Sequence, residues 1–324
     1  MEDMNNVSIQ GDQRYINYKF DLFTVPVLVA TFPIIYLVPT VFIIFKVFKV
    51  FWGSLFEKRM ESLNPHVFLV IVVSQLTSIL YMISDYLTIR IPFTGAITSW
   101  CAIQQPNHFL KILFFLSIYF TFTSWLFPSL LSTLRVISIY FPQRQKSLSA
   151  RISKYAIPFI YVYPFIFSFS LAPALGFCRQ LLGPYQFGAI YIWFSGNWME
   201  IKIVVGFVLN MIFWLILCTL LNLFLYRKLK KMSNHGKSAT LQRAEYSLTL
   251  TTFSMLLSYI TNLACALMFI IFPSMLVYFI ALRPFGNDCE TVFVPWVFYL
   301  THPIFKKKQK IGWSGTFNLR TRII

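Results

Sequence analysis

Long apolar runs without charged residues alternate along the chain with short basic segments. Five of these runs are each long enough for one helix across a bilayer: residues 22–45, 62–84, 112–134, 155–178 and 203–226. A further run, residues 246–282, is too long for one span, and the last, residues 291–305, is too short alone. A bilayer core of about 30 Å takes roughly 20 apolar residues as helix, so residues 246–305 predict two spans joined by a tight turn at Phe272-Pro273-Ser274. The pattern therefore predicts seven helices.

The composition leads to the same fold class. Hydrophobic residues make up 57% and charged residues only 12% of the 324 residues, too few charges to cover a soluble core of this size. Backbone groups in lipid must pair within their own segment, which favours helices, and the period-two alternation of a membrane barrel is missing. We expect an all-α membrane protein, a seven-transmembrane helix bundle that forms one domain.

The net charge of +17 invites a nucleic-acid partner, but the positions of the charges argue against one. Of the 28 Lys and Arg residues, 21 lie in four alternate segments: residues 46–61, 135–154, 227–245 and 306–324. The positive-inside rule places these segments in the cytoplasm, beside the anionic headgroups of the inner leaflet. They serve as membrane anchors alone or also contact a protein partner, and the sequence leaves both open.

This orientation defines the organisation of the chain. Residues 1–21 form an extracellular N-terminus, residues 22–305 the seven-helix transmembrane domain, and residues 306–324 a basic cytoplasmic tail. We assign the other basic residues, including Arg90, to the N-terminus and to exposed connections on the outer side. No cleavable signal peptide is apparent, so the first span is expected to act as the targeting signal. Asn6-Val7-Ser8 is a glycosylation sequon on the outer side.

Two of the five cysteines fall in predicted extracellular segments, where disulfides persist. Cys101 precedes the third helix and Cys178 follows the fourth, so a bridge between them would hold the second outer loop over the bundle. The alternative is two free thiols. Cys101 is expected in a loop before the third helix, because a helix from there to Arg135 would overshoot the bilayer core.

The third helix is predicted to begin after Asn107 as N-cap and to run without interruption to Arg135. Its inner end, Leu134 to Pro142, resembles the same region of rhodopsin-like receptors, where an acidic-Arg-Tyr triplet touches the G protein. Leu134 and Val136 stand in the places of the acidic residue and the Tyr, so an ion pair within the triplet is excluded. Arg135 is either a G-protein contact or a side chain that snorkels to the interface.

The seventh span carries two acidic residues at an unusual depth. Asp288 lies 17 residues before Phe305, which places it about 25 Å above the inner edge, with Glu290 slightly lower and Arg283 near the outer boundary. Ionisable groups at that depth usually face a bundle interior, so Asp288 and Glu290 are candidates for the lining of a ligand cavity. In the alternative, the helix begins near Asp288 and both acids are helix N-terminal charges.

The last third of the chain resembles nematode serpentine chemoreceptors, of which the gamma class is the most similar. The residues that carry the resemblance are Leu248–Thr252, Ile260–Asn262, Leu282–Asp288, Pro295–Tyr299 and His302-Pro303. The resemblance implies a G-protein-coupled-receptor-like fold in the plasma membrane of sensory neurons, in their cilia, with a small-molecule ligand and a heterotrimeric G protein as partners. Val294 precedes Pro295 where rhodopsin-like receptors carry Asn, which weakens transfer of their activation switch.

This interpretation predicts ligand-binding residues at the outer end of the bundle and G-protein contacts at the inner end. The ligand is expected among the outer halves of helices 3, 5, 6 and 7, with Phe115, Tyr119, Asn262, Asp288 and Glu290 as candidates. The G protein is expected at Arg135 and at the basic segment that begins with Arg227 and Lys228.

Other functions fit the residues less well. The four histidines lack metal-ligand spacing, and neither a phosphate loop nor a nucleophile elbow is present, so we expect no enzyme activity, metal or cofactor. A Schiff-base lysine is missing from residues 274–305, which excludes an opsin. A transporter, an inverted ligand-gated channel and a receptor-fold protein without coupling remain as alternatives.

Overall fold

The apolar runs fold into helices, as backbone pairing in lipid requires. A computed structural model of the protein describes residues 8–56, 64–181, 185–195, 200–233, 239–272 and 276–305. Within these ranges seven helices have between 21 and 34 residues. In chain order these are α2 (Val25–Phe56), α3 (Pro65–Asp85), α6 (His108–Tyr140), α7 (Gln145–Ser168), α8 (Glu200–Ser233), α9 (Ala239–Ile271) and α10 (Leu276–Thr301).

Shorter elements connect the long helices on one side of the bundle. A π-helical segment, Tyr86–Arg90, extends α3, and a 3-10 turn, Phe169–Leu171, follows α7. The others are α1 (Gln13–Ile16), α4 (Ile91–Phe93), α5 (Thr98–Ile103), β1 (Leu175–Gln180) and β2 (Ile190–Ser195).

Five segments of the described residues are long and apolar enough to cross a membrane by length and composition. They are Val25–Gly53, Pro65–Phe93, His108–Tyr140, Val205–Lys228 and Tyr246–Met268. The remaining two long helices are more polar, since α7 begins with basic residues and α10 carries Arg283, Asp288 and Glu290. The prediction of a seven-transmembrane helix bundle is confirmed.

Asparagine side chains start two of the spans. Asn107 accepts a hydrogen bond from the backbone N–H of Leu110 (2.9 Å) and is the N-cap of α6, as predicted. Asn64 accepts from the N–H of His66 (3.0 Å) and caps α3, with Pro65 in the first turn. In both places the amide oxygen satisfies an N–H that has no partner within the helix.

Three boundaries differ from the prediction. The fourth run, residues 155–178, is not one helix: α7 lies ten residues earlier, and after Pro173, which cannot donate a backbone hydrogen bond, the chain is extended as β1. The second span continues past Ser84 through the π-helical segment to Phe93. The seventh helix begins at Leu276, so a start near Asp288 is wrong; Pro273 and Ser274 of the predicted turn lie outside the described residues.

One end of the bundle is covered by a structure that we name the hairpin cap: residues 8–18, α5, β1 and β2. The two strands are antiparallel, with Leu175 opposite Ser195 and Gln180 opposite Ile190. Cys101 of α5 and Cys178 of β1 form a disulfide (S–S 2.01 Å). Gly176 exchanges two backbone hydrogen bonds with Asn107, and a Cβ there would lie 2.2 Å from the backbone nitrogen of Lys111.

The largest apolar cluster lies away from the hairpin cap. It is formed mainly by the parts of α2, α3, α6, α9 and α10 that are remote from the cap, with Val47, Phe68, Leu131, Leu248 and Phe298 among its buried members. Most buried charged residues lie in the other half, between this cluster and the cap. The bundle therefore has an apolar half and a polar half.

Candidate functional site

Arg135 lies near the end of α6, about 40 Å along the helix from its start at His108. Its side chain is 1% exposed and reaches across to α9. Nη1 donates to Thr252 Oγ1 (3.2 Å) and Nη2 donates to Thr249 Oγ1 (2.6 Å). A buried guanidinium of this kind is not a snorkelling side chain, so that alternative is wrong. We name these three residues the Arg135 latch.

The residue types around Arg135 help to explain why threonine hydroxyls are among its partners. Leu134 and Val136, its neighbours in the chain, supply no carboxylate. Thr249 and Thr252 are three positions apart on α9 and therefore lie on one face of that helix. Hydrogen bonds from a guanidinium to neutral hydroxyls are weaker than those of a buried ion pair, so these two contacts can be broken at a moderate cost.

A second link at the same end joins α6 to α8. The amide nitrogen of Asn222 donates to Ser132 Oγ (3.0 Å) and to the backbone oxygen of Cys218 (2.8 Å). Ser132 is three positions before Arg135 and is fully buried. Hydrogen bonds of single side chains therefore help to hold the ends of the third, fifth and sixth spans together.

The two basic residues predicted beside Arg135 lie at the same end of the bundle. Arg227 is exposed, and Lys228 Nζ lies 5.0 Å from the ring centroid of Tyr140, the last residue of α6. The rest of the predicted basic segment includes residues 234–238, which lie outside the described residues, as do Asn6 and the tail at 306–324.

Arg90 is the centre of a buried ion cluster in the polar half. Nη2 and Nη1 donate to the two carboxylate oxygens of Asp288 (2.6 and 2.9 Å), and Nε donates to Asp85 Oδ2 (2.9 Å). Tyr36 of α2 also donates to Asp288 (2.5 Å), and the guanidinium lies 4.5 Å from the ring centroid of Tyr86. The assignment of Arg90 to an exposed connection is wrong, because the π-helical segment carries it into the bundle.

This cluster fixes where Asp288 points. Its carboxylate faces α2 and α3, on the opposite side of α10 from the predicted ligand region between helices 3, 5, 6 and 7. Asp288 is 5% exposed and has three hydrogen-bond donors, so it is an element of the packing between the first, second and seventh spans.

Asn262 belongs to a second network, on the inner side of α10. Its amide nitrogen donates to Asn287 Oδ1 (2.6 Å), and its oxygen accepts from Arg283 Nε (3.0 Å). Asn287 in turn donates to the hydroxyl of Tyr81 on α3. Arg283 also reaches Tyr81 OH (3.4 Å) and Thr121 Oγ1 on α6 (3.5 Å). Four spans therefore meet at Arg283, which the sequence places near the outer boundary.

Glu290 lies one turn further along α10. Ser258 on α9 donates to its carboxylate (2.5 Å), and the side chain is 5% exposed. Gly286, which precedes Asn287 on α10, packs so closely on α9 that an added Cβ would lie 2.2 Å from Thr261 Oγ1. The sixth and seventh spans are thus in tight contact at the depth where the polar groups cluster.

Phe115 and Tyr119 lie on another side of the bundle. Their rings stack (centroids 5.9 Å apart), and both contact Phe165 of α7. The Tyr119 hydroxyl donates to the backbone oxygen of Tyr161 (2.7 Å), also on α7. The structure therefore separates the five ligand candidates: Asn262 and Glu290 are neighbours, Asp288 faces the first two spans, and the two aromatic residues face the fourth.

Sequence reasoning did not find Arg90, Arg283, Tyr36 or Tyr81 as parts of these networks. For Arg90 a signal exists, because Asp85 and Arg90 bracket an otherwise apolar stretch that continues the second span. Among the described residues no group of three or more His, Cys, Asp and Glu side chains is arranged to hold a metal ion.

Comparison with known proteins identifies similar chains. Residues 9–308 match the family model described as serpentine type 7TM GPCR chemoreceptor Sru. Serpentine receptor class U-26 of Caenorhabditis elegans is 33% identical over 261 residues, which cover 79% of this chain and 89% of that protein.

The expected gamma class is therefore wrong, although the resemblance to serpentine chemoreceptors is confirmed. The physical reason lies in the residues on which the resemblance rested. Leu248, Thr252, Pro295 and Phe298 are buried in contacts between the sixth or seventh helix and the rest of the bundle. Such positions report helix packing, which the serpentine classes share, and do not distinguish one class from another.

Proposed function

Because the chain belongs to the Sru family of serpentine seven-transmembrane chemoreceptors, we propose that it detects a small molecule at its polar half and signals to a heterotrimeric G protein at the Arg135 end. The family is a receptor family and not an enzyme family. Family membership indicates a chemoreceptor, and the ligand class and the coupling to a G protein are our proposals. Both rest on the arrangement of polar groups along the bundle.

The observation that carries the proposal is the Arg135 latch. In this structure the guanidinium is buried against the sixth span, so it is covered and not offered to a partner. Opening the latch would expose Arg135 together with Arg227 and Lys228, a basic surface at one end of the bundle. This corresponds to a protein with two packings, one in which the latch is closed and one in which a partner can reach Arg135.

The sixth span connects the polar half to the latch. Asn262 and Thr249 both belong to α9 and are 13 residues apart, about 20 Å along the helix. A ligand that displaces Asn262 relative to α3 and α6 therefore also displaces the two threonines relative to Arg135. Differential contacts of the ligand with the two packings would shift their populations.

The size of the latch energy suits such a shift. A hydrogen bond to a charged group contributes about 1.5–3 kcal/mol, so these two bonds contribute a few kcal/mol to the closed packing. Since about 1.4 kcal/mol is a tenfold change in an equilibrium constant, ligand contacts of ordinary strength are enough to reverse the preference.

For the orientation, we propose that the hairpin cap faces the outside and the Arg135 end faces the cytoplasm. The disulfide of the cap suits an oxidising compartment, and the basic residues of the other end suit the anionic inner leaflet. Residues 1–21 then form the extracellular N-terminus, and residues 306–324 the cytoplasmic tail. Sensory neuron cilia remain the expected location in the cell.

Nucleotide exchange on purified G proteins tests the proposal without a known ligand. Membranes that contain the Thr249→Val/Thr252→Val double variant should stimulate exchange at least about tenfold more than wild type, because the two threonine hydroxyls that bind Arg135 are lost. Thr251→Val is the matched control, since that hydroxyl donates to the backbone oxygen of Ser247 (2.9 Å) and lies between the two latch residues.

Arg135→Ala added to the double variant should abolish the stimulation at equal surface expression, because the contact itself is then missing. Equal exchange in wild type, the double variant and the triple variant, across the main Gα classes, would refute coupling through this end.

A further inference from the structure

Arg283 differs from Arg90, the buried arginine of the polar half, in what surrounds it. The residue lies two turns into α10 and points to the interior, where its partners come from α3, α6 and α9. Thr121 is about 20 Å along α6 from His108, and Arg135 is about 20 Å further on. The guanidinium thus lies halfway between the hairpin cap and the latch.

The hydrogen-bond partners of Arg283 are all neutral. They are the amide oxygen of Asn262 and the hydroxyls of Tyr81 and Thr121. Among the described residues no carboxylate lies within ion-pair distance of Arg283, whereas Arg90 takes both Asp85 and Asp288. The charge of Asp85 acts on Arg283 from beyond ion-pair distance, so among the described residues the guanidinium has no anion in direct contact. A cation in the interior of a membrane bundle is costly, so an anion in direct contact would stabilise it.

The network also orients the guanidinium. Asn287 and Asn262 are joined by an amide–amide hydrogen bond, which fixes the Asn262 oxygen in front of Arg283 Nε. Nη2 donates to the hydroxyls of Tyr81 and Thr121, while Nη1 has no hydrogen-bond partner among the described residues. Arg283 as a whole residue is partly exposed. A fork of this kind is suited to a carboxylate, which it binds through two parallel hydrogen bonds.

From this juxtaposition we propose that Arg283 anchors an anion-binding site and that the ligand of the receptor is a small organic carboxylate. This inference names the ligand class of the proposed function and rests on it. The carboxylate supplies the direct ion pair that Arg283 lacks among the described residues. Because Arg283, Asn262 and Thr121 belong to three spans, the same contact alters the packing of α9, which carries the latch threonines.

The first test measures the protein without ligand. Full-length Arg283→Gln, purified in detergent, should melt at or above the wild-type temperature, because glutamine keeps part of the hydrogen bonding and removes a charge that has no direct ion pair. Arg151→Gln, an exposed arginine on α7, is the matched control and should melt at the wild-type temperature. If Arg283 only ties the helices together, Arg283→Gln melts several degrees lower, and the proposal is overturned.

The second test measures binding by the same melting assay. The probes are the straight-chain carboxylates from acetate to octanoate and benzoate, each paired with its primary amide, with inorganic phosphate and chloride alongside. At least one carboxylate should raise the wild-type melting temperature by about 2 °C at roughly tenfold excess over its Kd, while its amide does not. The rise should be absent in Arg283→Gln and retained in Arg151→Gln.

Three results would overturn the assignment: no carboxylate-selective rise in wild type, an equal rise in Arg283→Gln, or a rise with phosphate or chloride alone. The assay contains no G protein, so it separates this inference from the proposed function. If no variant stimulates nucleotide exchange but a carboxylate still raises the melting temperature, the chain binds carboxylates without coupling to a G protein. If nucleotide exchange behaves as expected but no carboxylate raises the melting temperature, the proposed receptor function is supported and the proposed ligand class is wrong.

Discussion

Arg90 and Asp288 are 198 positions apart in the sequence and form a buried, two-pronged ion pair between the second and seventh spans. The arginine has a second carboxylate partner, Asp85, and the aspartate has a second donor, Tyr36. Because one cation binds two carboxylates, loss of Arg90 and loss of the Asp288 charge should change the stability of the protein by different amounts.

Removal of Arg90 should cost more stability than removal of the Asp288 charge. Arg90→Gln leaves Asp85 and Asp288 buried without a cation and should lower the free energy of unfolding by about 3–5 kcal/mol. Asp288→Asn leaves Arg90 paired with Asp85, and the amide oxygen still accepts from Tyr36, so the loss should be about 1–2 kcal/mol. Melting temperatures of the purified full-length variants give the order, and the reverse order would contradict the geometry.

The same cluster shows where sequence reasoning reaches its limit. The charge-free runs predicted seven spans because hydrocarbon excludes unpaired charges, and that rule holds for most of the chain. The rule also placed Arg90 outside the membrane, since a span was ended at the first charge, Asp85. A charge inside a span requires a partner on another helix, and pairings between helices leave no trace in the local pattern.

The direction in which side chains point from a helix is a second property that the sequence did not predict. Phe115 and Tyr119 were predicted correctly to lie on the third helix, yet they face α7 and not the sixth and seventh spans. A helix that is apolar on all sides has no polar face from which its rotation can be derived. The capping residue Asn107 could be predicted because a cap depends on adjacent residues alone.

Gly286 should be required for the contact between the sixth and seventh spans. A Cβ in Gly286→Ala would lie 2.2 Å from Thr261 Oγ1, so the two helices must separate, and stability should fall by about 1–3 kcal/mol. Gly206→Ala on α8 is the matched control, because nothing lies within 4 Å of its added Cβ. Equal melting temperatures for Gly286→Ala and Gly206→Ala would show that α9 and α10 are further apart than described.

The disulfide between Cys101 and Cys178 closes a sequence separation of 77 residues and ties α5 to β1. Cys101→Ser and Cys178→Ser should each lower stability by about 2–5 kcal/mol, and the double variant should lose no more than either single variant. Cys289→Ser, a cysteine outside the disulfide, controls for loss of a thiol and should have a small effect. Additive losses would mean that the two cysteines act independently.

The orientation of the chain decides which end can meet a ligand and which a G protein, and one experiment in intact cells measures it. The hairpin cap and the Arg135 latch lie at opposite ends of α6, so the side of the membrane on which one lies fixes the side of the other.

A glycan at Asn6 should disappear in Asn6→Gln and persist in Ser8→Thr, which keeps the sequon. A tag after Ile324 should bind antibody only after permeabilisation. A tag exposed on intact cells, together with an unglycosylated Asn6, would place Arg135 outside, and an inverted ligand-gated channel would then explain the seven helices better than a receptor.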